Sequence, residues 1–221
     1  VQRFLPVALV DDRAWETGWR DEYGTDTMAG AFDDPWQRDP RAPVLLLNST
    51  LVESGDRVIV SPYAADAADF ALAFPGGVDA RTLFSEHPVR ASTAVLLSAR
   101  FTYLSPAGTG RPAGGGAGRT LRLVDGGYFE NHGVTTAYDV LRRLRREAGA
   151  LGVPVRPVLI HIDNSAKQAG DPQAPWAYGA RPFLPELTSP VKALLATREA
   201  RGNTALAAVK QDVDVVEFRL Y

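Results

Sequence analysis

Strand-like and helix-like runs alternate along this chain, and that alternation constrains its fold more than any other feature. Pro43 to Val52 (PVLLLNSTLV) is a continuous apolar run, and Arg57 to Ser61 (RVIVS) follows it across the turn Ser54-Gly55-Asp56. Together they predict a hairpin. Leu121 to Val124 is a further strand, Val155 to Ile162 (VRPVLIHI) reads as a buried one, and Val213 to Leu220 (VDVVEFRL) alternates as a last strand. Helical spacing lies between them. Val89, Ala94, Leu97 and Phe101 predict a buried helix over Val89 to Phe101. Val134, Ala137, Val140, Leu141, Leu144 and Ala148 fall on one face of a helix whose outer face carries Arg142, Arg143, Arg145 and Arg146. Pro190 to Lys210 reads as a third helix, with Gly202 as its weak point. The first 42 residues are loop-like apart from a turn or two of helix at Arg13 to Trp19. Strands alternating with helices predict an α/β fold, a mostly parallel sheet flanked by helices.

The chain has 221 residues, and one domain over 1–221 is the expectation. A chain of this size buries roughly 70–75% of its unfolded surface and needs no covalent staples. Net charge is −2, so nothing favours nucleic acid as a partner. There is no cysteine, which excludes disulfides and thiolate metal sites. No run of about 20 apolar residues spans a bilayer. The chain opens at Val1 as if in mid-protein, so an N-terminal portion is expected to be missing, and location, membrane association included, stays open.

The strand Leu121 to Val124 ends in one carboxylate, Asp125, followed by Gly126 and Gly127. Two readings fit these residues. Asp-Gly-Gly is ordinary turn chemistry, the aspartate accepting a backbone hydrogen bond two residues on. Alternatively, ligands gather at the carboxyl ends of strands in open α/β sheets. A carboxylate there, beside residues without side chains, can serve as a general base.

The stretch LVDGGYFENHG, Leu123 to Gly133, resembles the Asp-Gly-Gly signature of the patatin-like phospholipases, closest to bacterial members of that family. The likeness extends to Asp12 to Glu16, Pro43 to Gly55, Ser92 to Gly108 (with Thr102 where a proline is usual) and Leu187 to Gly202. The resemblance implies a lipid acyl hydrolase with a Ser-Asp dyad, in which Asp125 is the base and Gly126 and Gly127 shape its loop. A serine on a Gly-x-Ser-x-Gly elbow would attack the ester, and an upstream glycine-rich loop would bind the oxyanion. It implies no metal and no organic cofactor. The substrate would be a lipid or other acyl ester, with contact to a membrane surface left open.

None of the nine serines lies in a Gly-x-Ser-x-Gly elbow. The family places elbow and oxyanion loop N-terminal to the matched region, so this chain is expected to carry the base without the nucleophile and to be inactive alone. The alternative is a non-catalytic relative that keeps the fold as a binding or regulatory domain. A third reading is a purely structural domain with Asp-Gly-Gly as a turn only.

Other residues have bland readings. Arg111 to Arg119 (RPAGGGAGR) reads as a surface loop, and Ser98 as a packing residue. His161 and Asp163 lack further metal ligands at useful spacing, which favours a core histidine. His132 either orients Asp125 or caps the helix beginning near Gly133. Asn131 is expected to brace the Asp125 loop or to begin that helix, while Tyr128 and Phe129 pack beneath the loop. The sequon Asn48-Ser49-Thr50 lies in an apolar strand, and the arginine stripe reads as a solvated face.

Overall fold

The computed structural model describes residues 12–62, 67–84, 88–101, 105–112, 120–163 and 185–219. Most of the glycine-rich loop Arg111 to Arg119 falls outside them. Backbone contacts divide the chain into two compact units, Val1–Phe129 and Glu130–Tyr221.

The first unit holds a five-stranded sheet. Helix α1 (Asp12–Tyr23) and the short α2 (Asp34–Arg38) precede β1 (Leu47–Leu51) and β2 (Arg57–Val60). Then come α3 (Ala67–Ala73), β3 (Gly77–Asp79), α4 (Ala91–Ser98), β4 (Gly108–Gly110) and β5 (Leu121–Asp125). The strand order is β3-β2-β1-β5-β4. Here the expectation of a mostly parallel sheet is corrected. Only β2 and β3 run parallel; β1 pairs antiparallel with both β2 and β5, and β4 pairs antiparallel with β5.

Connection length explains the β1–β2 and β4–β5 pairs. Strands β1 and β2 are joined by a tight turn in which Gly55 adopts φ 76°, and β4 and β5 by the short stretch 111–120. A parallel pair needs a crossover of about a dozen residues or more, which the α3 link supplies between β2 and β3. The predicted hairpin is present, with Leu47 opposite Val60 and Thr50 opposite Arg57.

Two apolar clusters hold this unit together. In one, Leu51, Val58, Val60 and Leu123 from the sheet meet Ala94 and Leu97 of α4, with Phe32 and Leu83. In the other, Ile59 meets Phe70, Ala73 and Phe74, from α3 and the residue after it. Leu123 and Ile59 are fully buried, each worth about 1.5–3 kcal/mol relative to exposure. Ser92, also fully buried, donates to Glu16 (2.9 Å) and ties α4 to α1.

The second unit contains α5 (Val134–Ala150), β6 (Val158–Asp163), α6 (Pro185–Asp212) and β7 (Asp214–Arg219). Strands β6 and β7 pair in parallel, His161 beside Glu217. Val134, Leu206, Val209 and Val213 form its core, with Leu159 and Val215 packed against them. The opposite row is not buried as predicted for β6: Val158, Ile160 and Ile162 are 50–63% exposed, with Val216 and Phe218 beside them. Val140 and Leu144 of α5 are likewise exposed, because the buried side of that helix turns through Val134, Thr136, Asp139 and Ala148. Gly202 does not interrupt α6. Among the described residues, no helix is long and apolar enough to cross a membrane.

Candidate active site

Asp125 is the last residue of β5, as the sequence predicts. Its backbone N–H turns away from β1 and donates to the Arg100 carbonyl (3.0 Å), while its own carbonyl accepts from the Thr50 hydroxyl (2.9 Å). The same hydroxyl accepts from the Phe129 N–H at 3.0 Å. Thr50 therefore clasps both ends of the Asp-Gly-Gly loop.

Within the loop, Asp125 caps a single 3-10 turn, Gly126–Tyr128. Its Oδ1 accepts from the Gly127 N–H at 2.6 Å. That is the Asx-type turn chemistry expected of these residues. It occupies one carboxylate oxygen. Among the described residues no donor reaches Oδ2, and that atom is not one of the enclosed, partnerless ones. The side chain is half-buried with one oxygen fixed and the other available.

Gly126 has to be glycine. A Cβ there would lie closer than 3.0 Å to the backbone of Asn48 in β1, a separation real Cβ atoms essentially never show. The glycine lets the loop lie directly against the neighbouring strand. Beneath it, Tyr128 stacks on Phe101, with centroids 5.9 Å apart, and the Arg57 guanidinium lies 5.7 Å from the Phe129 ring centre. The expected packing of both aromatics is present.

Asn131 and His132 do something other than predicted. The Asn131 amide donates to Glu199 of α6 at 3.4 Å rather than bracing Asp125. Helix α5 is preceded by Gly133 in a left-handed conformation (φ 68°), and the carboxylate of Glu130 satisfies its first turn by accepting from the Thr135 N–H. His132 is therefore not the cap. Its ring contacts His161 and Glu199 instead. Sequence reasoning missed Glu130, Glu199 and Glu217. The spacing of Glu130 before α5, an acidic residue ahead of a first turn, was the one available signal.

The described serines give no nucleophile beside Asp125. Ser49 faces Asp125 across β1 and β5 but is fully buried, and Ser92 is equally enclosed against Glu16. Ser98 lies in α4, as predicted. A cavity of about 400 Å³ opens at the same edge of the sheet, two strands from Asp125, lined by Phe32, Val60, Ser61, Arg81 and Phe84 among others. Asp125 does not line it. Among the described residues no group of three or more His, Asp or Glu side chains is arranged to hold a metal ion.

Comparison of the chain with family models, curated proteins and solved structures finds no match in any of the three.

Proposed function

We propose that this chain is the base-bearing part of a lipid acyl hydrolase of the patatin type, with Asp125 as the general base. The observation that carries the reading is the asymmetry of the Asp125 carboxylate: Oδ1 is fixed by Gly127, and among the described residues no donor reaches Oδ2. A carboxylate meant only to close a turn needs the first oxygen; a base needs the second, held in a defined direction.

In the proposed reaction a serine N-terminal to this segment supplies the hydroxyl. Oδ2 takes its proton as Oγ bonds to the acyl carbon, and the carbonyl electrons move onto oxygen. The tetrahedral intermediate collapses, the C–O bond to the alcohol breaks, and Asp125 returns the proton to the leaving oxygen. A water molecule then repeats the sequence to free the acid and the serine. A serine hydroxyl is a weak nucleophile until such a base is within hydrogen-bond reach. Donors aimed at the oxyanion would stabilise it further; the loss of one side-chain donor of this kind costs about 3 kcal/mol.

A fluorophosphonate probe, which reacts with activated serine hydroxyls, tests the reading on the full-length protein carrying this segment. Labelling of one serine that disappears in Asp125→Asn is the expected result. Equal labelling of both proteins would overturn it. A protein that takes no label at all supports a domain that binds without catalysis.

A further inference from the structure

The second unit contains a line of four titratable side chains that the proposed chemistry does not use. His132 Nε2 lies 3.0 Å from Glu199 Oε1 on α6, and His132 Nδ1 lies 3.0 Å from His161 Nε2 on β6. His161 Nδ1 faces Glu217 Oε1 on β7 at 3.7 Å, beyond hydrogen-bonding distance. The two imidazoles are only 3% and 6% exposed. Among the described residues, the enclosed His161 Nδ1 has no hydrogen-bond partner.

The donors fix the tautomers. An ionised carboxylate only accepts, so His132 Nε2 must carry a hydrogen for Glu199. In a neutral ring His132 Nδ1 is then a bare lone pair, and His161 Nε2 must donate to it. Neutral His161 is left with a bare Nδ1, aimed at the oxygen of Glu217. Acceptor faces acceptor, and the histidine nitrogen is buried, where an unpaired polar group is costly.

A metal ion does not resolve this. The rings are nearly coplanar, 13° apart with centroids at 5.1 Å, so the facing nitrogens lie almost on the line between the rings. Two nitrogens binding one ion in line would stand about 4 Å apart, twice a zinc–nitrogen bond. Theirs is a hydrogen-bond separation.

We propose that His161 Nδ1 and Glu217 Oε1 form a binding site for a single proton, with His132 and Glu199 holding the accepting tautomer in place. The proton comes from solvent by way of Glu217, whose side chain is 35% exposed. It bonds to the Nδ1 lone pair, and the positive charge it adds to the imidazole is balanced by the Glu217 carboxylate. Lys210 of α6 holds the other Glu217 oxygen at 2.6 Å, so the carboxylate is shared between lysine and histidine. Glu130 faces His132 from the loop before α5 but accepts from its backbone N–H, leaving the ring untouched. The pair takes one proton and not two, because a second would put like charges on adjacent rings and remove the hydrogen on which their bond depends. Binding closes the 3.7 Å gap between the two side chains of neighbouring, already paired strands, which makes the unit responsive to proton concentration.

Nitrogen-15 spectra of the full chain, labelled at histidine and recorded across pH, test this directly. At high pH both His132 and His161 should be protonated at Nε2 and bare at Nδ1. On acidification His161 Nδ1 alone should gain a proton while His132 Nδ1 stays bare. Protonation of His132 Nδ1 in the folded chain, or two rings becoming cationic independently, would overturn the proposal. So would a joint shift of His132 Nδ1 and His161 Nε2 on adding Zn²⁺. The variant His161→Gln keeps an amide donor where Nε2 stood and has nothing to titrate. It should preserve the His132 tautomer and lose the titration; if it does not fold, the wild-type spectra still decide.

Discussion

Ser49 and Asp125 face one another across β1 and β5 as an antiparallel pair, and the Asp125 N–H bonds away from β1 to Arg100. In such a pair the two side chains share one face of the sheet. The Ser49 hydroxyl is fully buried and, among the described residues, has no hydrogen-bond partner, although it is directly opposite the carboxylate proposed to be the base. A buried hydroxyl without a partner costs about 1–3 kcal/mol. Ser49→Ala removes one atom and that cost together, so stability should be unchanged or rise by up to about 1 kcal/mol. Urea unfolding measures it, and a clear loss would mean that the hydroxyl has a partner.

Gly126→Ala should destabilise the first unit by about 1–3 kcal/mol, the usual range for forcing atoms into a filled space. The obstacle is the Asn48 backbone, which cannot swing aside as a side chain can. Thermal unfolding with a midpoint equal to wild type would contradict the close approach of loop and strand.

Gly202→Ala sets two effects against each other. Alanine in a helix interior gains about 1 kcal/mol over glycine. Its Cβ, however, would lie closer than 3.0 Å to the His132 ring. That ring is held at both nitrogens, so the clash cannot be relieved by a simple rotation. The substitution should therefore lower stability and disturb the His132 nitrogen signals. A stabilised protein with unchanged signals would show that the ring moves freely.

Tyr138 of α5 donates to the Asp212 carboxylate at the end of α6. That hydrogen bond, then burial, then the charge of Asp212 raise its pKa above the ordinary phenol value of 10.0. The neutral phenol is the favoured form in the folded chain. This contact is accordingly present through neutral pH and is lost as pH rises through the elevated folded value. Phenolate absorbance should show one tyrosine ionising later than the rest, and Tyr138→Phe should remove that late step. Ionisation of all tyrosines together in the wild type would contradict the contact.

What could be read in advance follows from where the information sits. The position of Asp125 at a strand end was legible because an apolar run stops at a charged residue followed by two glycines. Helix α5 was legible from spacing, and the β1–β2 hairpin from its turn. Strand direction was not: alternation suggested parallel pairing, but short loops make β1–β2 and β4–β5 antiparallel, β1 pairs with the distant β5, and β4 is a three-residue strand with two glycines. Facing was also hidden. In β6 and β7 the inward row carries His161 and Glu217, while the outward row holds Ile160, Ile162 and Phe218. Hydrophobic patterning alone would reverse those faces. The partners of His132 lie 29 and 67 residues away, and no local signal announces them.

Hydrolysis of a chromogenic acyl ester by the full-length protein, compared with its Asp125→Asn variant, tests the central claim most directly. Asparagine keeps an oxygen to accept from Gly127, so the turn and the fold should persist, while the second position becomes an amide that cannot take a proton. Turnover should fall by about 10²–10⁴, the usual contribution of a general base, at unchanged thermal stability. Turnover equal to wild type would contradict the account.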